Sequence, residues 1–186
     1  MESKLTTRSQ EAITSAQRLA VSRGQAGLEP LHLLVALLEQ TDGIAGPLLK
    51  AVGADPADVR TKADAALRRL PSVTGATVPA PSPSRDLLRV LNAAGEQASA
   101  LGDEFVSTEH LLVGLAGSEG EAGTVLTSSG ATRDALRVDV TPEQASHMES
   151  FAIYFPMVLR DSTVMRLHWG TTAVPIRIKA PYTRAR

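Results

Sequence analysis

The chain has 186 residues, 43% of them apolar and 21% charged, and 19 basic against 20 acidic side chains leave a formal net charge of −1. That length holds one domain of ordinary size, or one domain with an appendage. The balanced charge argues against a basic nucleic-acid binder or a polyacidic tail, and the absence of cysteine removes disulfides, thiolate metal sites and cysteine nucleophiles while suiting a reducing cytoplasm.

The N-terminus MESKLTTRSQ has no apolar stretch behind its charges, so no signal peptide is expected. Residues 8–23 are predicted as an amphipathic helix. Ala12, Ile13, Ala16, Leu19 and Ala20 recur at helical spacing, Thr6 or Thr7 can cap the start, and Gly24 stops the end. Glu29-Pro30 opens a second helix, Leu31 to Leu38, that is apolar almost all round and therefore belongs inside a bundle. A third helix runs from about Ile44 to Val52 and stops at Gly53. Asp55-Pro56 caps a fourth that reaches about Leu70.

Residues 71–84, PSVTGATVPAPSPS, hold Pro71, Pro79, Pro81 and Pro83 and no charge, which predicts a linker rather than a core element. Beyond it the helical stripe returns at Leu87, Leu88, Leu91, Ala94 and Ala98 and closes at Gly102. VSTEHLLVGL (106–115) then repeats LEPLHLLVAL (28–37) at an offset of 78, with His, Leu, Leu, Val and Leu in common. Ala16 and Ala94, Ala20 and Ala98, and Gly24 and Gly102 share that offset, and Gly53 and Gly130 share it after one deletion. Two copies of a four-helix unit are the simplest arrangement. Small alanines at the repeated stripe positions let helices approach closely, so a core can form almost without aromatic residues.

From about residue 138 the composition changes. Phe151, Tyr154, Phe155, Trp169 and Tyr182 all lie there, whereas Phe105 stands alone before it. Helical periodicity is lost. Val174, Ile176 and Ile178 alternate like a short strand and FAIYF (151–155) resembles another, although Pro156, Pro175 and Pro181 are expected to interrupt them. The longest near-apolar run, Phe151 to Leu159, is far shorter than the about 20 residues that span a membrane. The tail is too apolar for simple solvated disorder. Two expectations follow for it: disorder or poor packing, or strands or an added helix docked on the bundle.

No phosphate-cradling loop, nucleophile elbow, dinucleotide fingerprint or paired-histidine zinc motif occurs. No catalytic residue, cofactor or metal is therefore expected. His32 and His110 occupy equivalent places near the first turn of a buried helix, where structural hydrogen bonding is the expectation. Asp103, Glu104 and Glu109 flank Phe105-Val106. They read either as solvated loop acids, with one acid complementing a helix dipole, or as an acidic rim beside an apolar groove.

LTTRSQEAITSAQRLA, LEPLHLLVALLEQTDGIAGPLLKAVGADP and GDEFVSTEHLLVGLA resemble the N-terminal domain of the ClpB type, within the Clp repeat family shared by the Clp ATPases. The resemblance covers about residues 4–137. It implies an all-α fold of eight helices in two pseudo-symmetric four-helix repeats: repeat one at 5–70, the linker at 71–84 and repeat two at 85–137, followed by the tail 138–186. It also implies a module carried on a mobile linker above an ATPase ring, which helps engage unfolded or aggregated polypeptide, or adaptors. The engaging residues would be Thr6 in the LTT start, Asp103 in GDEF and Glu109 in STEH, with Leu91 and Phe105 in an apolar groove.

No ATPase motif follows Arg137, so this polypeptide alone is expected neither to hydrolyse ATP nor to thread a substrate. Three readings follow. The first is an interaction module that binds polypeptides or Clp ATPase or protease partners, with no part for nucleic acid or membrane. The second is an accessory subunit docked on a Clp protease ring. The third is a truncated or frame-disrupted disaggregase fragment.

Overall fold

A computed structural model describes residues 4–72, 80–136, 163–169 and 172–178. Contacts divide the chain into two compact units, Met1–Arg137 and Val138–Arg186.

The first unit is helical. After a short strand β1 (Lys4–Leu5), Thr6 accepts the Ser9 amide hydrogen at 3.2 Å and starts α1 (Thr7–Ser22). The side chain of this cap satisfies one of the free amides of the first turn. Ala12, Ala16 and Ala20 form the buried face of α1, and the chain leaves the helix through Gly24 at φ 65°. A second short strand, β2 (Gly27–Leu28), leads to α2 (Pro30–Glu39), where every residue from Pro30 to Leu37 is buried. This is the fully apolar helix of the sequence, and it packs against α1 and against α4 (Pro56–Leu67). In the chain between α2 and α4 comes α3 (Ala45–Ala51), and the turn after it passes through Gly53 with φ 80°.

Helix α4 begins as expected, with Asp55 accepting from the Ala57 amide at 3.0 Å, but it ends at Leu67 rather than Leu70. Arg69 and Leu70 instead bond three residues back, to Ala66 and Leu67. Leu70 precedes Pro71, whose ring disfavours a helical residue before it, and the last turn tightens accordingly.

Repeat two follows the same plan. It begins with a short strand β3 (Ser82–Pro83) and continues through α5 (Arg85–Leu101), β4 (Phe105–Val106), α6 (Thr108–Ala116), α7 (Glu121–Ser128) and α8 (Arg133–Leu136). Ser84 caps α5 as Thr6 caps α1, accepting the Leu87 amide at 3.1 Å. Eight helices in two repeats are thus present among the described residues, and the fold is all-α as expected.

The start of repeat two differs from the expectation. Strand β3 falls in the segment assigned to the linker, and it pairs in parallel with β2 of repeat one. Reciprocally, β1 of repeat one pairs in parallel with β4 of repeat two. The two ladders have the same register and an equivalent closing bond: the Thr6 N–H donates to Val106 O, and the Ser84 N–H donates to Leu28 O, both at 3.0 Å. Each repeat therefore supplies the strand that completes the other. Among the described residues one apolar cluster runs through both repeats and contains no aromatic residue.

In the second unit the described residues form an antiparallel hairpin. Strand β5 (Thr163–Trp169) pairs with β6 (Thr172–Ile178) from Thr163↔Ile178 to Trp169↔Thr172. The alternating Val174, Ile176 and Ile178 do lie in a strand. Pro175, expected to interrupt it, instead sits inside β6 opposite Arg166. A two-strand ladder leaves one side of each strand unpaired, and a proline is admitted where its missing N–H faces that side. FAIYF lies outside the described residues.

Candidate functional site

The residues implied by the resemblance converge, with one exception, on the β1–β4 edge and the turn into α6. Thr6 is fixed there twice. Its hydroxyl caps α1 and lies 3.0 Å from Ser9 Oγ, while its backbone bonds to Val106. Phe105, in register with Lys4, exposes 43% of its surface, a large apolar side chain left in water. The Lys4 ammonium lies 5.7 Å from its ring centroid and pairs with Glu104 at 3.1 Å. Both of these charges are open to solvent, where such contacts contribute little to stability.

Asp103 and Glu109 flank the same turn. Glu109 is half-buried in the first turn of α6, where a negative charge complements the helix dipole. Asp103 is held from below. The buried His110 stands 3.1 Å from the Asp103 carboxylate through Nε2, and its Nδ1 accepts the Ser107 N–H at 3.1 Å and lies 2.7 Å from Ser107 Oγ.

Leu91 is the exception in chain position: it sits on α5, a helix that packs against β4, and it is half-buried against the core. The apolar stripe predicts a buried Leu88, but it is 48% exposed, one turn before Leu91. The signal was available: Leu87, Leu91, Ala94 and Ala98 already complete one helical face, and Leu88 falls about 100° from Leu87 on the wheel.

Repeat one provides the reference for this edge. The offset of 78 places Gln25, Ala26, Gly27 and Leu31 where repeat two has Asp103, Glu104, Phe105 and Glu109. His32 bonds to the Glu29 N–H at 2.9 Å and to Gln25 Oε1 at 2.7 Å, and Gln25 Nε2 donates to Leu67 O at 2.8 Å. Both histidines are thus hydrogen-bonded structural residues. Burial pushes the His32 imidazole down to about 4, and the Arg23 guanidinium acts in the same direction.

Elsewhere a groove of about 580 Å³ opens along α1, lined by Arg8, Glu11, Arg18, Glu39, Gln40 and Asp42 among others, and none of the five implied residues lines it. Among the described residues no group of three His, Asp or Glu is placed to hold a metal ion, and no helix is long and apolar enough to cross a membrane.

Residues 4–140 match the Clp repeat (R) N-terminal domain family. The chaperone protein ClpB of Propionibacterium freudenreichii is 50% identical over 133 residues, covering 72% of this chain and 15% of that protein. ClpB of Mycobacterium tuberculosis is 47% identical over 132 residues, 71% of this chain and 15% of that protein. The chain therefore spans about 15% of the length of these relatives. Among solved structures, the Hsp104 N-terminal domain of Candida albicans superposes with a TM-score of 0.60 at 23% identity, covering 72% of this chain and 86% of that one. The N-terminal domain of the caseinolytic-protease-associated chaperone ClpD of Arabidopsis thaliana does so with 0.55 at 27% identity, covering 72% and 89%.

Proposed function

This chain belongs to the Clp repeat N-terminal domain family, and from that premise we propose that it is a non-catalytic interaction module that engages unfolded or aggregated polypeptide, or Clp subunits and adaptors, through the β1–β4 edge. The observation that carries the reading is the broken symmetry of the repeats. The two strand ladders have the same parallel register and share one equivalent backbone hydrogen bond, Thr6 N–H to Val106 O and Ser84 N–H to Leu28 O. Gly27, Ala26, Gln25 and Leu31 satisfy that backbone in repeat one, so Phe105, Glu104, Asp103 and Glu109 are not required by it in repeat two. Covering exposed apolar surface is favourable by about 25 cal/mol per Å², and Phe105 offers such surface beside acids that keep the edge hydrated when empty. An apolar patch with a few surrounding charges suits weak, sequence-tolerant binding of exposed hydrophobic segments.

The test is titration of the full chain against a chemically unfolded, dye-labelled protein, followed by fluorescence anisotropy. Saturable binding is expected, weakened by Phe105→Ala and by Glu109→Ala with the fold intact. Failure to bind unfolded polypeptide, Clp ATPase or protease rings, or adaptors would refute the proposal.

A second reading, an accessory subunit docked on a Clp protease ring, draws on the separate unit Val138–Arg186 and its hairpin. It predicts co-purification with such a ring that is lost on removal of residues 138–186. Co-purification that survives the deletion would assign the docking to the repeats instead.

A further inference from the structure

The two repeats contain the same histidine in two different circuits. In each, Nδ1 accepts the N-cap backbone N–H, from Glu29 in one and Ser107 in the other, so the neutral ring carries its hydrogen on Nε2. In repeat one this hydrogen goes to Gln25 Oε1 at 2.7 Å, and Gln25 passes its own amide hydrogen to Leu67 O at 2.8 Å. Gln25 is 4% exposed and His32 fully buried, so that circuit starts and ends inside the protein.

In repeat two the ring is equally buried, with His110 2% exposed, but its Nε2 faces a carboxylate, lying 3.1 Å from Asp103 Oδ2. A carboxylate accepts and cannot pass a hydrogen on. The Asp103 side chain is 53% exposed, and among the described residues no donor meets its second oxygen, Oδ1. The circuit that closes on a carbonyl in repeat one therefore opens to solvent in repeat two. Ser107 Oγ, 2.7 Å from His110 Nδ1, fixes the ring further, and Glu29 brings no hydroxyl at the equivalent position.

We propose that His110, oriented by Ser107, is a positioning residue for the polypeptide-binding edge: it holds the Asp103 carboxylate so that Oδ1 accepts a hydrogen from an N–H group of the engaged polypeptide. The inference rests on the proposed function above and deepens it. An exposed aspartate on a turn ordinarily samples several rotamers, and ordering it on binding costs affinity. The buried imidazole imposes that order beforehand, which is worth about three- to tenfold in affinity for one side chain.

The test is a double-mutant cycle on the full chain, read by anisotropy against a labelled unfolded polypeptide, with far-UV circular dichroism confirming that each variant is folded. His110→Gln is expected to weaken binding about three- to tenfold in the wild-type background, and by less than about 1.5-fold in the Asp103→Ala background, because it acts through Asp103. Equal losses in both backgrounds overturn the proposal. Should His110→Gln unfold the chain, long-range ¹H–¹⁵N spectra of the unmutated protein decide instead. The His110 imidazole signals are expected to shift on Asp103→Asn and on saturation with polypeptide, while those of His32 stay fixed. Indifference of His110 to bound polypeptide overturns the proposal. A wild-type chain that binds no polypeptide refutes the underlying reading and this one with it. A chain that binds normally but shows an additive cycle loses only the role of His110.

Discussion

Gly114→Ala tests the idea that the alanine-rich core is limited by backbone approach rather than by side-chain volume. A Cβ at Gly114 would stand 2.8 Å from Val90 O and 3.4 Å from Ala94 N, both backbone atoms of α5. The first distance is shorter than Cβ atoms tolerate, and no flexible side chain can yield to relieve it. Helices α5 and α6 must separate, and overpacking of that kind costs about 1–3 kcal/mol. Alanine in place of glycine returns about 1 kcal/mol of helix propensity. The difference is about 0–2 kcal/mol, and its midpoint, a net loss of roughly 1 kcal/mol, lowers Tm by a few degrees in a domain of this size. Repeat one supplies the control, because the equivalent residue is Ala36, 1% exposed in α2. There the reverse change, Ala36→Gly, is expected to destabilise by about 1 kcal/mol through propensity, with a further loss from the small void. Urea unfolding of both variants, monitored by circular dichroism, gives the two values. If Gly114→Ala proves neutral or stabilising, the close approach of α5 and α6 is not a limit and the reasoning is wrong.

Leu34 is fully buried at the centre of α2, so Leu34→Ala should cost about 2–5 kcal/mol in the same urea experiment; a loss under about 1 kcal/mol would mean the core repacks freely. Gly102 leaves α5 at φ 78° with open space where a Cβ would stand, so Gly102→Ala should lose roughly 1–2 kcal/mol from backbone strain alone, and an unchanged urea midpoint would show that the turn does not need the left-handed conformation. Burial holds His32 down at about 4 against an ordinary value of 6.5, so the unfolded chain binds the proton more readily than the folded one. The contribution is fully present above pH 6.5 and is lost as pH falls towards 4, amounting to roughly 3 kcal/mol in all. Urea midpoints that stay flat from neutral pH down towards that value would refute the assignment.

Much of the helical fold is readable in the residues because the local signals coincide with the packing. The alanines of α1, the proline that begins α2 and the glycines at 24, 53, 102 and 130 are the same residues that the structure buries, starts and stops with, and those four glycines all have positive φ. The strand ladders are another matter. Each strand is two residues long, too short for a period-two pattern. Composition alone assigns Ser82-Pro83 to a proline-rich linker. Yet the offset of 78 sets Ser82-Pro83 against Lys4-Leu5, and Gly27-Leu28 against Phe105-Val106, so the repeat contained the register that composition hid. The early end of α4 was equally visible in principle, through Pro71.

The candidate site is legible to a different degree, for a reason the repeats make plain. Residues that a fold requires should occur in both copies of a duplicated unit, as His32 and His110 do, because both copies solve the same packing problem. Residues that serve a surface need occur in only one. By that rule Asp103, Glu104, Phe105 and Glu109 separate from the scaffold as soon as they are set against Gln25, Ala26, Gly27 and Leu31. The rule does not separate Leu91 from Ile13: both are half-buried apolar residues packed on the core of their own repeat, so a scaffold role accounts for each. Leu88, whose counterpart is the exposed Gln10, is the better apolar candidate on α5, since nothing in the packing of repeat one calls for a leucine there. Leu88→Gln should therefore leave the urea midpoint nearly unchanged while weakening polypeptide binding, and a variant that binds as tightly as the parent would confine the apolar part of the edge to Phe105.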